Sequence, residues 1–409
     1  MFYKRIGGKM FKTNNTMKLA IITFFANLYF YNQIGTLYQQ SRGLSLFEVS
    51  SITSIIIFTV FIGEVPAGVV ADRIGRKWSI VIAMAMQALG EWMYLFAKNY
   101  YEFVIIAIFA GLGFAFLSGA NEALIYDTLS ENDKEKKMKK AMGLIGSSYQ
   151  LAFFIAPLAG GILVTQLTLP EYKKVIFLTA ISASFAFLLS FTLKEPDVKY
   201  QHAQDGPYTI LKSGFYEIRN SPLLKKILLI STFTATFSGL LVSLYQPYFV
   251  ASDVPIFWIG ASLALGGLFA ALTQAYAYKL EEAFGKKMAL VVLSMFPGLM
   301  FILLAVVKIP LVLVPIFVLT YGFSETRNPL LSSYTNVLIG SKNRATVLSL
   351  INMVNSLYIA IVVLIVGLIA NYSLPIAFLL VGIIIIFATI ILRVDKLPAE
   401  IQKSNTGIK

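Results

Sequence analysis

The sequence predicts an all-α integral membrane protein of twelve transmembrane helices arranged in two halves of six. Three observations predict it. Of 409 residues, 57% are hydrophobic and only 13% charged, whereas soluble chains run at about 45–50% and about 25%. Apolar stretches of about 20 residues, enough to cross the hydrocarbon core as a helix, recur along almost the whole chain. Basic residues collect in alternate connections between them. The absence of cysteine excludes a disulfide scaffold, and the density of apolar residues excludes a disordered chain or an ordinary soluble enzyme.

The spans follow in order, each bounded by charge or by helix-breaking residues. The first half reads Met17–Tyr38, Val49–Ala71, Trp78–Ala97, Phe103–Tyr126, Ala141–Val164 and Val175–Leu193. Arg76-Lys77 precedes the third, Lys139-Lys140 the fifth, and Lys194 closes the sixth. The second half reads Ile227–Val250, Trp258–Tyr278, Met288–Val307, Leu311–Asn336, Val347–Ala370 and Ile376–Leu392. Lys225-Lys226 opens the seventh, Lys286-Lys287 the ninth, and Arg393 closes the twelfth. The domains expected are therefore 1–193, a cytoplasmic linker 194–226, and 227–409. Glycine and proline inside several spans are tolerated in membrane helices.

The net charge of +13 raises nucleic acid as a partner, and the distribution of charge answers it. With the N-terminus placed inside, 28 of the 34 Lys and Arg fall in inner segments, five in outer ones (Arg42, Lys98, Lys173, Lys174, Lys308), and Arg327 alone within a span. That is a positive-inside pattern. The expectation is a cell (inner) membrane protein with both termini cytoplasmic, a monomer, with no nucleic-acid partner. His202, the lone histidine, lies in the linker and receives no role.

The halves echo one another. Between spans 2 and 3 stands Gly68-Val69-Val70-Ala71-Asp72-Arg73-Ile74-Gly75-Arg76-Lys77, and between spans 8 and 9 stands Glu282-Ala283-Phe284-Gly285-Lys286-Lys287. Both are an acid, two residues, a glycine and two bases. Glu122 likewise stands ahead of Lys140-Ala141 much as Glu325 stands ahead of Arg344-Ala345. Parallel six-span repeats are a transporter architecture with the substrate site near the midplane. In the turn, Gly75 supplies backbone angles closed to other residues. Gly68 would let a neighbouring helix approach span 2 closely. Asp72 would face the N-terminus of span 11, and Arg76 would reach Asp127. Arg73, Arg76 and Lys77 also fit simple positive-inside anchors.

At these residues the chain resembles the major facilitator superfamily, whose signature G-x-x-x-D-R-x-G-R-[KR] it matches at every fixed position. The second copy is degenerate, with Tyr278 for glycine and Glu282 for aspartate. Glu64-Val65-Pro66, and Ala152 to Gly161 in span 5, are similar to segments of bacterial drug/proton antiporter-type members. Ala107 stands where proton-coupled members carry an arginine, a departure from their pattern. The resemblance implies the major facilitator fold and a latch of the outward-facing state formed by Gly68, Asp72, Arg73, Gly75, Arg76, Lys77, Asp127, Glu282 and Gly285.

Ionisable residues within spans are costly and mark function by default. They are Glu64, Glu91, Glu122, Asp127, Glu325 and Arg327. Glu91 lies on a span that supports rather than lines the cavity in the superfamily; Glu122 and Glu325 lie on lining spans. Asn121 accompanies Glu122, and Tyr321, Glu325 and Asn328 share a helix face. Arg327 is two residues from Glu325, on nearly the opposite face, so it needs another partner. A network closing the inner gate accounts for these residues as well as a proton or substrate site does. Asn32 and Tyr31 of span 1 and Gln246 of span 7 suit a cavity for an amphipathic molecule.

The resemblance implies alternating-access transport, with proton-coupled export of amphipathic organic compounds as the expected activity. Uptake of an organic solute or anion, with Arg327 as ligand, is the alternative. The expected partners are a small organic substrate, protons and the lipid bilayer. An enzyme or channel is disfavoured: the sequence has no P-loop, no metal-ligand cluster and no nucleophile–base pair, so neither cofactor nor metal is expected.

Overall fold

Helices stop where glycine or a competing side chain interrupts the backbone ladder, and these interruptions set the architecture. The computed structural model describes residues 15–129, 133–196, 215–234, 237–339 and 344–406, with backbone alone at 278, 328, 329, 337, 344–346 and 403–406. The first part of the chain forms α1 (Asn15–Ala26), α2 (Gly35–Ser41), α3 (Leu46–Ile74), α4 (Arg76–Phe96), α5 (Tyr100–Leu117), α6 (Ala120–Thr128), α7 (Lys134–Leu163) and α8 (Leu169–Ser190). The second forms α9 (Pro222–Thr234), α10 (Ser238–Ala251), α11 (Ile256–Ala275), α12 (Ala277–Val306), α13 (Pro310–Leu338), α14 (Arg344–Tyr372), α15 (Leu374–Ile391) and α16 (Leu397–Thr406). No strand occurs among the described residues.

Ten helices are long and apolar enough to cross a membrane among the described residues, taking α5 with α6 and α9 with α10 as single passes. The tenth expected span is the 29-residue α13, which is not among the ten. The first expected span is not one helix. The Asn27 amide donates to the Thr23 carbonyl at 2.7 Å, the same oxygen that its own backbone N–H uses. Such local competition ends α1, and an irregular link of tyrosines and amides runs to α2. Span 4 also breaks, at Gly119 (φ 72°), which puts Glu122 in the first turn of a separate short helix.

Two compact units result, one of residues 1–32 and 55–202, the other of 33–54 and 203–409. In the first, Leu19, Ile80, Leu124, Ala141 and Ala186 bring α1, α4, α6, α7 and α8 into one core. Ala152 and Ala156 of α7 are fully buried against Leu28, so the small residues of span 5 serve close packing. In the second, Gly298 of α12 and Gly382 of α15 meet back to back; a Cβ on Gly382 would stand 2.6 Å from the Gly298 carbonyl. The start of α3 belongs to this unit: Asn371 Oδ1 accepts from the Leu46 and Phe47 amides at 2.8 and 3.3 Å. Large apolar side chains such as Phe96, Leu188, Ile162 and Ile391 stay more than 60% exposed, a surface that a bilayer covers.

Candidate functional site

The turn between α3 and α4 is built around Gly75, at φ 98° and ψ 160°, a region essentially reserved for glycine. Asp72 pairs with Arg76 one turn on, Oδ1 to Nη2 at 2.9 Å. The free amides that open α4 are capped from a distance: Glu195 accepts from the Arg76 and Lys77 N–H groups at 2.8 and 2.7 Å. A carboxylate at a helix N-terminus is favourable on both hydrogen-bond and dipole grounds. The second copy repeats the glycine turn, with a side-chain ion pair beside it. Gly285 takes φ 75° and ψ 153°, and Asp395, just past α15, pairs with Lys287 at 3.9 Å. Among the described residues, a Cβ on Gly68 would meet nothing within 4 Å. A Cβ built on Gly63 would stand 3.1 Å from the Ala115 Cβ, and one on Gly111 2.6 Å from that of Thr59.

Glu91 lies deep in the N-terminal unit, 7% exposed. The Tyr31 hydroxyl donates to its Oε1 at 3.2 Å, and the Tyr31 ring stacks on Tyr94 with centroids 4.9 Å apart. Oε2 has no partner, and no cationic side chain among the described residues pairs with Glu91. The carboxyl and Gln87, which donates to the Tyr29 hydroxyl at 2.8 Å, face a cavity of about 50 Å³ between α4 and α5. A water needs about 10–15 Å³ on this measure, so the cavity has room for a few waters and not for an organic solute.

The C-terminal unit holds the opposite charge. Arg327 of α13 is 2% exposed; its guanidinium donates to the Thr234 hydroxyl of α9, and Nη2 has no partner. It forms no ion pair with Glu325, which is half-buried and acts on it only at longer range. A cavity of about 470 Å³ opens between α9, α13 and α14. Its polar wall is Ser231, Ser332, Thr335, Asn352, Asn355 and Ser356, with leucine and isoleucine between them. Asn355 Oδ1 accepts from the Thr232 hydroxyl at 2.7 Å.

The sequence profile described as Major Facilitator Superfamily matches residues 19–362. The chain belongs to the major facilitator superfamily. It is accordingly a multi-pass membrane protein and a secondary transporter of a small solute, in a family that is not an enzyme class. An uncharacterized MFS-type transporter of Methanocaldococcus jannaschii is 21% identical over 345 residues, covering 83% of this chain and 82% of that one. Multidrug resistance protein 1 of Bacillus subtilis is 28% identical over 286 residues, covering 68% and 69%. Among solved structures, the fold is similar to that of the nucleoside transporter NupG (TM-score 0.73, 14% identity, covering 94% and 99%). It is also similar to a bacterial homolog of the human lysosomal transporter Spinster (TM-score 0.76, 14% identity, covering 97% and 99%).

The transporter's remaining candidates are dispersed. Tyr31 and Glu91 meet, as do Asp72 and Arg76. Glu122, Arg73 and Glu282 are exposed, and Asp127 is half-buried. The Asn121 Oδ1 is buried without a partner, and Asn32 donates its backbone N–H to the Tyr29 carbonyl at 3.1 Å. Gln246 is 2% exposed; it accepts from the Thr36 amide at 2.8 Å and donates to the Val242 carbonyl at 2.9 Å, holding α2 against α10. Tyr321 stacks on Phe317. The side chains of Asn328 and of residues 344–346, just ahead of span 11 where Asp72 is expected to dock, lie outside the described residues. Glu195, Thr234 and Asp395 escape sequence reasoning. The one signal is position, since Glu195 and Asp395 each follow the last span of a half.

Proposed function

We propose that the transporter exports amphipathic organic compounds in exchange for protons, with Glu91 as the exchanging carboxylate. Two six-span halves, joined by the linker 194–226, work by alternating access, each molecule acting as a monomer in the cell (inner) membrane. The observation that carries the proposal is Glu91 itself: buried, without a cation, and with Oε2 free beside a water-sized cavity. An isolated carboxylate is costly to bury in its charged form, which suits a group that takes up and releases a proton. Ionisation follows when a conformational change admits water. Glu122 is exposed and Glu325 half-buried, which makes them weaker candidates for that switch. The similarity to multidrug resistance protein 1 supports export. Uptake of an organic solute is the second reading, and Arg327 would then serve an anionic one.

In proteoliposomes, a proton gradient alone is expected to drive accumulation of a transported amphipathic compound, and an ionophore that collapses the gradient is expected to stop it. Accumulation indifferent to the ionophore would rule out proton coupling.

The orientation has its own test in a chain without native cysteine. Cysteines at Asn99 and Ser373 should label from outside, and those at Ser341 and Ser404 only after permeabilisation. Outside labelling at Ser341 would invert the topology.

A further inference from the structure

Three lysines from separate stretches of the first unit converge at one end of its helices, and they point to a lipid. We propose that Lys18, Lys77 and Lys194 bind the phosphate headgroup of an anionic phospholipid, with Trp78 and Phe191 receiving the upper part of its acyl chains. The inference goes beyond transport, since it concerns neither the cargo nor the coupling ion.

The backbone brings the lysines together. Asn15, at the start of α1, donates its amide to the Lys194 carbonyl at 2.8 Å and accepts from the Lys194 N–H at 3.0 Å. This clasp fixes the chain just past α8 against α1. Lys18 follows Asn15 by three, on the same helix face. Its ammonium donates to the carbonyl of Thr192, two residues before Lys194. Trp78, in the first turn of α4, packs edge to face on Phe191 with centroids 6.2 Å apart, and Lys77 lies 5.4 Å from the centre of the Trp78 ring. Lys77 and Lys194 accordingly stand close enough to Lys18 to repel its charge.

That repulsion is not answered by an acid. Among the described residues, no carboxylate forms an ion pair with any of the three lysines. Glu195 is adjacent, and it accepts from the Arg76 and Lys77 backbone amides. An ammonium carries three donors. Lys18 uses one on Thr192, and the Lys77 and Lys194 ammoniums make no hydrogen bond among the described residues. Like charges gathered in this way are unfavourable unless a counter-charge sits among them. A phosphate supplies it, with oxygens enough for several ammoniums at once.

The setting selects a lipid over a free phosphate. Trp78 and Phe191 are 46% and 43% exposed, at the ends of two helices apolar enough to span a membrane. Aromatic side chains at that level meet the boundary between headgroups and acyl chains. Lysine stems lie along apolar surface and lift their charge to the headgroups. Basic pockets between spanning helices take anionic headgroups, and each cation is worth about fivefold in affinity.

The test is thermal unfolding of the purified full chain in neutral-detergent micelles. These carry phosphatidylglycerol, phosphatidylcholine of the same acyl chains, or inorganic phosphate. Phosphatidylglycerol is expected to raise the unfolding midpoint at about one-tenth of the concentration that phosphatidylcholine requires, and inorganic phosphate at that concentration should leave it unchanged. Lys18→Gln, Lys77→Gln and Lys194→Gln together should remove the preference, whereas arginine at the same three positions should keep it. Lys136→Gln, Lys137→Gln and Lys140→Gln remove as much charge from the exposed start of α7 and should leave the preference intact. Should the first triple variant fail to fold, Lys194→Gln alone is the second. Lys194 holds α1 through its backbone, so the single change should spare the fold and weaken phosphatidylglycerol binding about fivefold. Equal potency of the two lipids or of inorganic phosphate would overturn the proposal. So would a preference that survives in the site variants, or one lost equally in the α7 control.

Discussion

Glu91→Gln is expected to lose gradient-driven transport about 100-fold, the scale on which a positioned proton-transfer group acts, while substrate exchange between two equal pools survives. Glutamine keeps the size of the side chain and an oxygen to accept from Tyr31, so packing in the α4–α5 chamber is retained. It cannot gain or lose a proton. Net transport needs that proton and exchange does not, so the two assays should separate in this variant. Tyr31→Phe removes the donor to Oε1 and should reduce coupling without abolishing it. Glu122→Gln and Glu325→Gln are the controls, and both are expected to retain gradient-driven transport. Loss confined to one of these two, with Glu91→Gln unaffected, would move the proton site there. Equal loss of exchange and driven transport in Glu91→Gln would make Glu91 a structural residue.

Gly75→Ala should do more damage than Gly285→Ala, although the two glycines hold the same turn in the two copies. Both have φ closed to L side chains, so each alanine bears about 1–3 kcal/mol of backbone strain. At Gly75 the new Cβ would also stand 2.6 to 2.8 Å from the Glu195 carboxyl atoms. It would push that group off the α4 amides, a cap worth about 1 kcal/mol. At Gly285 it would meet nothing within 4 Å. Transport and unfolding midpoint, compared at equal amounts of inserted protein, should therefore fall further for Gly75→Ala. Asp72→Asn removes only a half-buried i,i+4 pair, of small worth to stability. A large transport defect there with a normal midpoint would identify Asp72 as part of the conformational latch. Equal damage from the two glycine variants would show that the Glu195 cap contributes nothing.

Sequence periodicity and charge make the helical membrane architecture and the turn at Gly75 legible, because both are local. A glycine set between an acid and two bases, where two apolar spans meet, suits a tight turn and little else. Long-range pairings are not legible. Nothing in the run Asn27-Leu28-Tyr29-Phe30-Tyr31 indicates that Tyr31 will meet a carboxyl 60 positions later, nor that Asn27 will end its helix. Arg327 can be seen to need a partner other than Glu325, since 3.6 residues per turn sets them apart. Which partner depends on how α9 packs against α13. Glu195 reads as the edge of a solvated linker, because the amides it caps lie more than 100 residues back.

The carboxylates that follow each half also bear on how the protein is made. Glu195 leaves the ribosome before any of the second set of helices, so the first junction can be closed while the rest is still being synthesised. Asp395 emerges 200 residues later (395 − 195), a delay of about 10–40 s at ordinary elongation rates. Once residues 285–287 are made, and until Asp395 follows, the nascent chain in the membrane has one capped junction and one without its acid. Insertion machinery and quality-control proteases would meet the two junctions at different stages of completion. A defect at Glu195 would thus be exposed to them earlier, and for longer, than the same defect at Asp395.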